Sequence, residues 1–356
     1  MTTADRNVIA RHAGELAAAG GVRAVVLDDG AERGIRVLEF RTGGGLRFDV
    51  LVDRAMDIGL AEFDDLSVGW RSATGFRHPG LHEVNDEDGL SWLRSMSGLL
   101  VTGGLDHTLF GGVVGAEHYH YPPRQTVRHG LHGRVANIPA RLTGYGERWD
   151  GDRCVLWAEG EVRQAAIFGE HLVLRRRIEA DLGGTEIRLA DTVVNAGFDR
   201  TPHMFLYHVN VGWPLLEEGA RFDAAVADTI WRSDSVQSQG FPHIVLPGPQ
   251  PGFVEQVYEH VLVPDADGRT RARLRNDRLG RGFELDFDPS AFPAFFQWLN
   301  LREGSYAVGL EPSTHHVAGD SAARADRSMI WLEHTDERRY ETVFRFTRAD
   351  GQRAAS

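Results

Sequence analysis

The chain is poor in cysteine. Cys154 is the only one among 356 residues, so no intrachain disulfide can form and no cysteine-based zinc or iron–sulfur centre can be built. That usage suits a reducing compartment, and cytoplasmic residence is the expectation. Long apolar runs are missing too. No stretch reaches the ~18 residues that a membrane span needs, and MTTADRNVIARHAGELAAAG lacks a basic start followed by an apolar segment. A soluble protein with no membrane partner is expected. Positive charge is scarce and scattered, 39 Lys and Arg against 51 Asp and Glu, for a net of −12. Nucleic acid and anionic lipid need a concentrated positive field, so neither is an expected partner, and a small uncharged molecule fits better. There is no GxGxxG opening a helix, no GxxxxGK[ST], no HExxH and no GxSxG. Nucleotide cofactors and serine hydrolysis lose support accordingly.

What the chain does have is short alternating runs punctuated by Gly, Pro and Asp. In LRFDVLVD, Leu46, Phe48, Val50 and Val52 alternate with Arg47, Asp49, Leu51 and Asp53, giving a strand with one apolar face. In RRRIEADLGGTEIRLADTVVNAG, Ile178, Ala180 and Leu182 precede Gly183-Gly184, and Ile187 and Leu189 follow. Two glycines between alternating runs specify a tight hairpin. Similar runs at 35–42, 154–163, 203–211, 281–287, 305–311 and 341–347 bring the candidate strands to at least nine. The Ala- and Gly-rich stretch Arg11–Gly21 predicts one short helix. No helical pattern interleaves the strands as a βαβ fold requires. The turn-rich segments 247–253 and 264–269 predict surface loops rather than linkers, because strands of the same character lie on both sides. The expected architecture is all-β: a large antiparallel β-sandwich over 34–350, preceded by a short N-terminal extension, 1–33.

Sixteen His are a surplus, and three groups of residues merit weighing. RHGLHGRVANIP holds His129 and His132, each followed by a Gly that lets the backbone bend. In TPHMFLYHVNVGWPLL, His208 shares a strand face with Met204, Leu206 and Asn210, so an imidazole and an amide extend an apolar stripe and need partners. In SYAVGLEPSTHH, Glu311 shares a face with Ala307 and Gly309, whose small side chains clear a path for a carboxylate to reach a ligand. Each has a plainer reading: a loop with surface histidines, a core histidine bonded to backbone, a solvent-facing strand end. Arg54 continues the apolar face of 46–52 and either pairs with Asp57 or enters an interior cleft. His118 and His120, one residue apart, could share a strand face as metal ligands, although no further ligand is evident nearby.

Taken in order, these groups resemble the aldose 1-epimerase (galactose mutarotase-like) family. HGRVANIP (132–139) is similar to that family's HGxxRNxP-type motif through His132, Gly133, Asn137 and Pro139. TPHMFLYH (201–208) is similar to TPVNLTNH, and VGLEPS (308–313) to the strand that ends in the catalytic glutamate. DRAMDIG, LLVTGGLDH and EPSTHH resemble a poorly characterised bacterial branch. The chain departs from the pattern at Ala136, where the motif has Arg, and in HVNVG after the second His. The resemblance implies a galactose mutarotase-like supersandwich that interconverts sugar anomers by opening the hemiacetal ring. It makes Glu311 the base and His208 the acid, with His132 either stabilising charge on the ring oxygen or sharing the acid role, and with no metal and no cofactor. This asks for a protonated His208 beside an ionised Glu311. Arg54, Arg94, Asn210, Trp213, Gln297 and Trp298 are the candidate substrate-binding residues, and Asp228 and Asp234 are positional candidates for a substrate-binding Asp. A small-molecule carbohydrate is the implied partner. Three alternatives stay open: an isomerase, epimerase or lyase on a keto sugar or sugar acid, a non-catalytic sugar-binding module, and a metal enzyme using His118 and His120.

Overall fold

The computed structural model describes residues 6–83, 86–120 and 124–349. The alternating runs form antiparallel strands. Strand Leu46–Leu51 buries Leu46, Phe48 and Val50 completely and pairs with Arg36–Arg41 on one side and Asp57–Phe63 on the other. The Gly183-Gly184 turn joins His171–Asp181 to Glu186–Asn195, as its two glycines require. Segment 264–269 is the connection between strands Gln256–Leu262 and Thr270–Asn276, which lie in different sheets.

Two large antiparallel sheets make the sandwich. One has eight strands, with Glu337–Arg348 and Glu186–Asn195 near its centre. The other has seven, in the order Val226–Arg232, Gln256–Leu262, Ala294–Arg302, Ser305–Ser313, Thr201–Gly212 and Ile330–Leu332, with Leu100–Leu105 also paired to Thr201–Gly212. Their inner faces share one apolar core that includes Phe205, Tyr207, Val209, Leu285, Tyr340 and Phe344. The ring of Phe205 lies 4.7 Å from that of Tyr340 across the two layers. No helix of the described residues is long and apolar enough to cross a membrane.

The N-terminal part departs from the sequence-based expectation. A helix does form, but over Arg6–His12, followed by a single 3-10 turn at Leu16–Ala18. Gly21–Val26 is a strand at the edge of a five-stranded sheet, paired with Arg36–Arg41. Gly20 and Gly21 stop helical propagation, and the β-branched Val22, Val25 and Val26 favour the extended form. The first sheet of the domain thus begins inside the stretch expected to precede it.

The strand that positions the site, Thr201–Gly212, is buried along its whole length. Phe205, Tyr207, Val209 and Val211 face the sandwich core, and Leu206, His208 and Asn210 face the other way. A charged network lies beneath it. Arg176, 1% exposed, donates to Asp191 Oδ2 and Asp57 Oδ1, both at 2.7 Å, and Tyr207 donates its hydroxyl to the same Asp191 oxygen. The expected partner of Arg54 is therefore taken: Asp57 pairs with Arg176. Removing one member of a buried ionic group strands the others without water. Arg176→Met is expected to cost on the order of 3–5 kcal/mol in urea unfolding, and a loss below about 1 kcal/mol would contradict this account.

Candidate active site

The site is built by the register of two strands. Leu206 lies opposite Ser313 and Val209 opposite Leu310, which sets His208 across from Glu311. His208 Nε2 and Glu311 Oε1 are 3.2 Å apart, and the two residues are 3% and 4% exposed. The atoms meet at contact distance without the alignment of a hydrogen bond, so the carboxylate oxygen is left without a donor. Gly309 makes the approach possible. A Cβ there would fall on Glu311 Oε1 and lie 3.1 Å from both His208 Cε1 and Trp298 Cβ.

Three rings surround the pair. Trp298 packs edge-on to His208 at 5.2 Å, Trp92 lies 5.4 Å from it, and His132 meets it at right angles at 5.6 Å. Trp92 also lies 4.7 Å from His132, and its buried indole N–H finds no acceptor among the described residues. Trp70 extends the aromatic wall from Trp298 at 5.9 Å. His132 has a left-handed backbone, φ 53°, and its Nδ1 takes a hydrogen bond from the Leu109 amide at 3.3 Å. A neutral imidazole accepting at Nδ1 carries its proton on Nε2 and presents a donor there.

Burial dominates the electrostatics. It pushes the His208 imidazole down to about 3, with Asn210 acting weakly the other way. Burial also lifts the Glu311 carboxyl well above the ordinary carboxylate range, with the nearby Glu255 charge adding to the effect. His132 is held well below its usual value by burial and by His208 and His107. The expected pair, a protonated His208 against an ionised Glu311, runs against both shifts: burial favours the neutral form of each group, an unprotonated imidazole and a protonated carboxyl.

The candidate binding residues divide. Trp298 is at the site and donates its indole N–H to Glu255 Oε2 at 2.8 Å. Asn210 backs the pair, donating to the carbonyls of Gly98 and His208. Gln297 sits on the opposite face of the strand from Trp298, bonded to His260 and to the His243 carbonyl; neighbours on one strand cannot both face a ligand. Arg54 directs Nε, Nη1 and Nη2 at the carbonyls of Ala136, Arg77 and Ser95. Arg94 is exposed and paired with Glu87. Trp213 is 69% exposed, just past the buried part of its strand. Asp228 and Asp234 are exposed, and the carboxylate acting on Glu311 is Glu255 instead.

The remaining histidines go elsewhere. His129 stacks on His107 at 4.6 Å in a second buried polar cluster with Asp106. His118 is buried with both ring nitrogens unpaired, whereas His120 is exposed and meets Asp199 at 3.0 Å. The two do not share a face as expected, and no group of three or more His, Cys, Asp or Glu among the described residues is arranged to hold a metal ion. Trp70, Trp92 and Glu255 escaped the sequence reading. Trp92 sits in the short 3-10 turn Ser91–Arg94, and Trp70 and Glu255 lie in connections just outside strands, where no periodicity announces which side chain turns inward.

Several solved structures share this fold. A protein from Klebsiella pneumoniae, provisionally named an aldose 1-epimerase, is 22% identical, with a TM-score of 0.80 over 92% of this chain and 83% of that one. A galactose mutarotase-like protein from Clostridium acetobutylicum is 12% identical, with a TM-score of 0.64 over 92% and 98%. A galactose 1-epimerase from Lactobacillus acidophilus is 11% identical, with a TM-score of 0.57 over 92% and 99%. At such identities the likeness is one of fold, and the fold is galactose mutarotase-like. No functionally curated protein matches the chain. Residues 32–346 match the model of the family described as domain of unknown function DUF4432, and the chain belongs to that family.

Proposed function

We propose that the protein is an enzyme of the aldose 1-epimerase type, interconverting the anomers of a sugar by acid–base opening of its ring. The observation that carries this reading is the dry, unaligned contact between His208 Nε2 and Glu311 Oε1 beneath an indole whose own N–H finds no acceptor among the described residues. Buried polar atoms without partners are rare in folded proteins, and a polyhydroxylated ligand supplies the missing donors and acceptors.

Ring opening requires one group to take the proton from the C1 hydroxyl while another protonates the ring oxygen. Burial favours a protonated Glu311 and an unprotonated His208. The neutral pair therefore begins with Glu311 giving its proton to the ring oxygen as His208 receives one from the C1 hydroxyl. An imidazolium and a carboxylate face the open aldehyde, which rotates about C1–C2. Closure on the other face returns both protons. The resemblance assigns the two atoms the other way round, with Glu311 taking the proton of the C1 hydroxyl and His208 protonating the ring oxygen. His132 is suited to donate from Nε2 to a substrate oxygen. Trp92 and Trp298 offer flat apolar surface to the C–H faces of the ring.

Enolisation of a keto sugar would use the same two groups, and a lyase acting through a Schiff base would need a lysine. The chain has none, since all 39 of its basic side chains are Arg. NMR exchange between anomers, run across a sugar panel in deuterated water, tests the proposal. The expected result is accelerated anomer exchange without deuterium at carbon; incorporation at carbon, or no acceleration with any sugar, overturns it. Gly309→Ala pushes the carboxylate off the imidazole, so it is expected to slow exchange by roughly tenfold or more with a stability cost of about 1–2 kcal/mol. An unchanged rate would detach the pair from the chemistry.

A further inference from the structure

Arg54 is buried and bonded to no described carboxylate. It is 2% exposed, and no described carboxylate lies within ion-pair distance, Asp57 being bonded to Thr102 and Arg176. Its guanidinium donates only to main-chain carbonyls: Nε to Ala136 at 2.8 Å, Nη1 to Arg77 at 3.0 Å and Nη2 to Ser95 at 2.8 Å. A charge taken out of water, bonded only to carbonyl dipoles and helped by the Asp57 carboxylate only from beyond contact, is costly to hold. The turn that aims it is strained as well, because Ala55 and Met56 have φ of 52° and 56°, where residues with a Cβ pay about 1–3 kcal/mol each. Three features hold that turn in place. The Ala55 amide donates to Ile138 O, Arg176 donates to Ala55 O, both at 3.1 Å, and Gly160 leaves room for the Met56 sulfur. Strain kept in place by its surroundings is a feature of functional positions.

The three carbonyls belong to two segments. Arg77 and Ser95 lie on either side of Trp92 in the arm that carries it, and no strand is found among the described residues between them. Ala136 lies four residues after His132, in the loop that carries it. Trp92 and His132 are the two rings laid against each other and against His208. One further backbone hydrogen bond, Leu131 N to Gly89 O at 2.8 Å, joins the arm to the loop.

We infer that Arg54 is a positioning residue: its guanidinium fastens the Trp92 arm to the His132 loop, so that both rings close over the His208–Glu311 pair. It touches no substrate. A guanidinium is needed because three carbonyls spread around one plane match its rigid fork, which a single ammonium does not. Only the consequence for turnover depends on the function proposed above; the fastening does not.

The test uses Arg54→Met and Arg54→Lys in the full chain. In Arg54→Met, hydrogen–deuterium exchange is expected to speed up tenfold or more in peptides covering 86–97 and 130–138, while strand 281–287 keeps its protection. Arg54→Lys is expected to fold and yet to leave both segments unprotected. The kcat for anomer exchange falls at least tenfold in either variant, with KM changing less. Unchanged protection of both segments overturns the inference, and so does loss of protection throughout the chain in both variants, which would make Arg54 an ordinary core residue. A raised KM with both segments still protected would make it a substrate ligand and overturns it too. If the unaltered protein exchanges no sugar anomers, the functional proposal fails and the exchange experiment still decides the role of Arg54.

Discussion

Glu311→Gln and His208→Asn are each expected to lower anomer exchange by on the order of 10²-fold or more with the fold retained. Both substitutions keep size and polarity while removing a proton-transfer group. The stability readout separates a chemical loss from a structural one. Burial raises the Glu311 carboxyl above its ordinary range, so above that range the folded state resists an ionisation that the unfolded chain undergoes freely. That stabilising preference for the protonated form is fully present below about pH 4.5 and is lost as pH rises toward the folded value. A Gln cannot ionise, and Glu311→Gln is expected to show an equal or higher thermal midpoint at pH 7–8 together with its loss of rate. Full anomer-exchange rates in both variants would remove the pair from the mechanism. A lowered rate accompanied by a lowered midpoint would mean that the substitution acts through the fold.

The second large effect is acid sensitivity. Burial drives His203 and His208 down to about 3, and His82, His129, His260 and His315 down to about 4. In the unfolded chain each would titrate near 6.5. Below that pH the unfolded state binds protons that the folded state refuses, so stability is fully present above about pH 6.5 and declines as pH falls toward the folded values. By pH 4 the loss from the buried His129, His203 and His208 is on the order of 3 kcal/mol each. Three such terms approach the ~5–15 kcal/mol stability of a typical domain. The protein is therefore expected to unfold between pH 6.5 and 4, and circular dichroism or tryptophan fluorescence across that range will show it. A flat stability profile down to pH 4 would mean that these imidazoles are not held neutral in the interior.

The relation between sequence and site follows from how each residue is held. Period-two alternation located the strands of His208 and Glu311, and parity correctly placed His208 with Asn210 and Glu311 with Ala307 and Gly309. It could not join them. Which strands pair and in what register depends on contacts about a hundred residues apart, and a shift of one residue would have turned Glu311 into the core. Parity also exposed its own limit at Gln297 and Trp298, adjacent candidates of which only one can face the site. At Arg54 it told less, because its strand ends at Leu51 and a left-handed turn, not the strand pleat, directs the side chain.

The sequence by itself determined an all-β sandwich, the strands carrying one imidazole and one carboxylate, and the glycine that clears the space between them, because alternation and side-chain size are local properties. The tertiary structure alone decided that the two groups touch, that Trp92, Trp70 and Glu255 complete their surroundings, and that Arg54 reaches three carbonyls. It also decided which way each group's protonation is biased. A protonation equilibrium depends on how much water the fold removes, and burial here favours the protonated carboxyl of Glu311 and the unprotonated imidazole of His208.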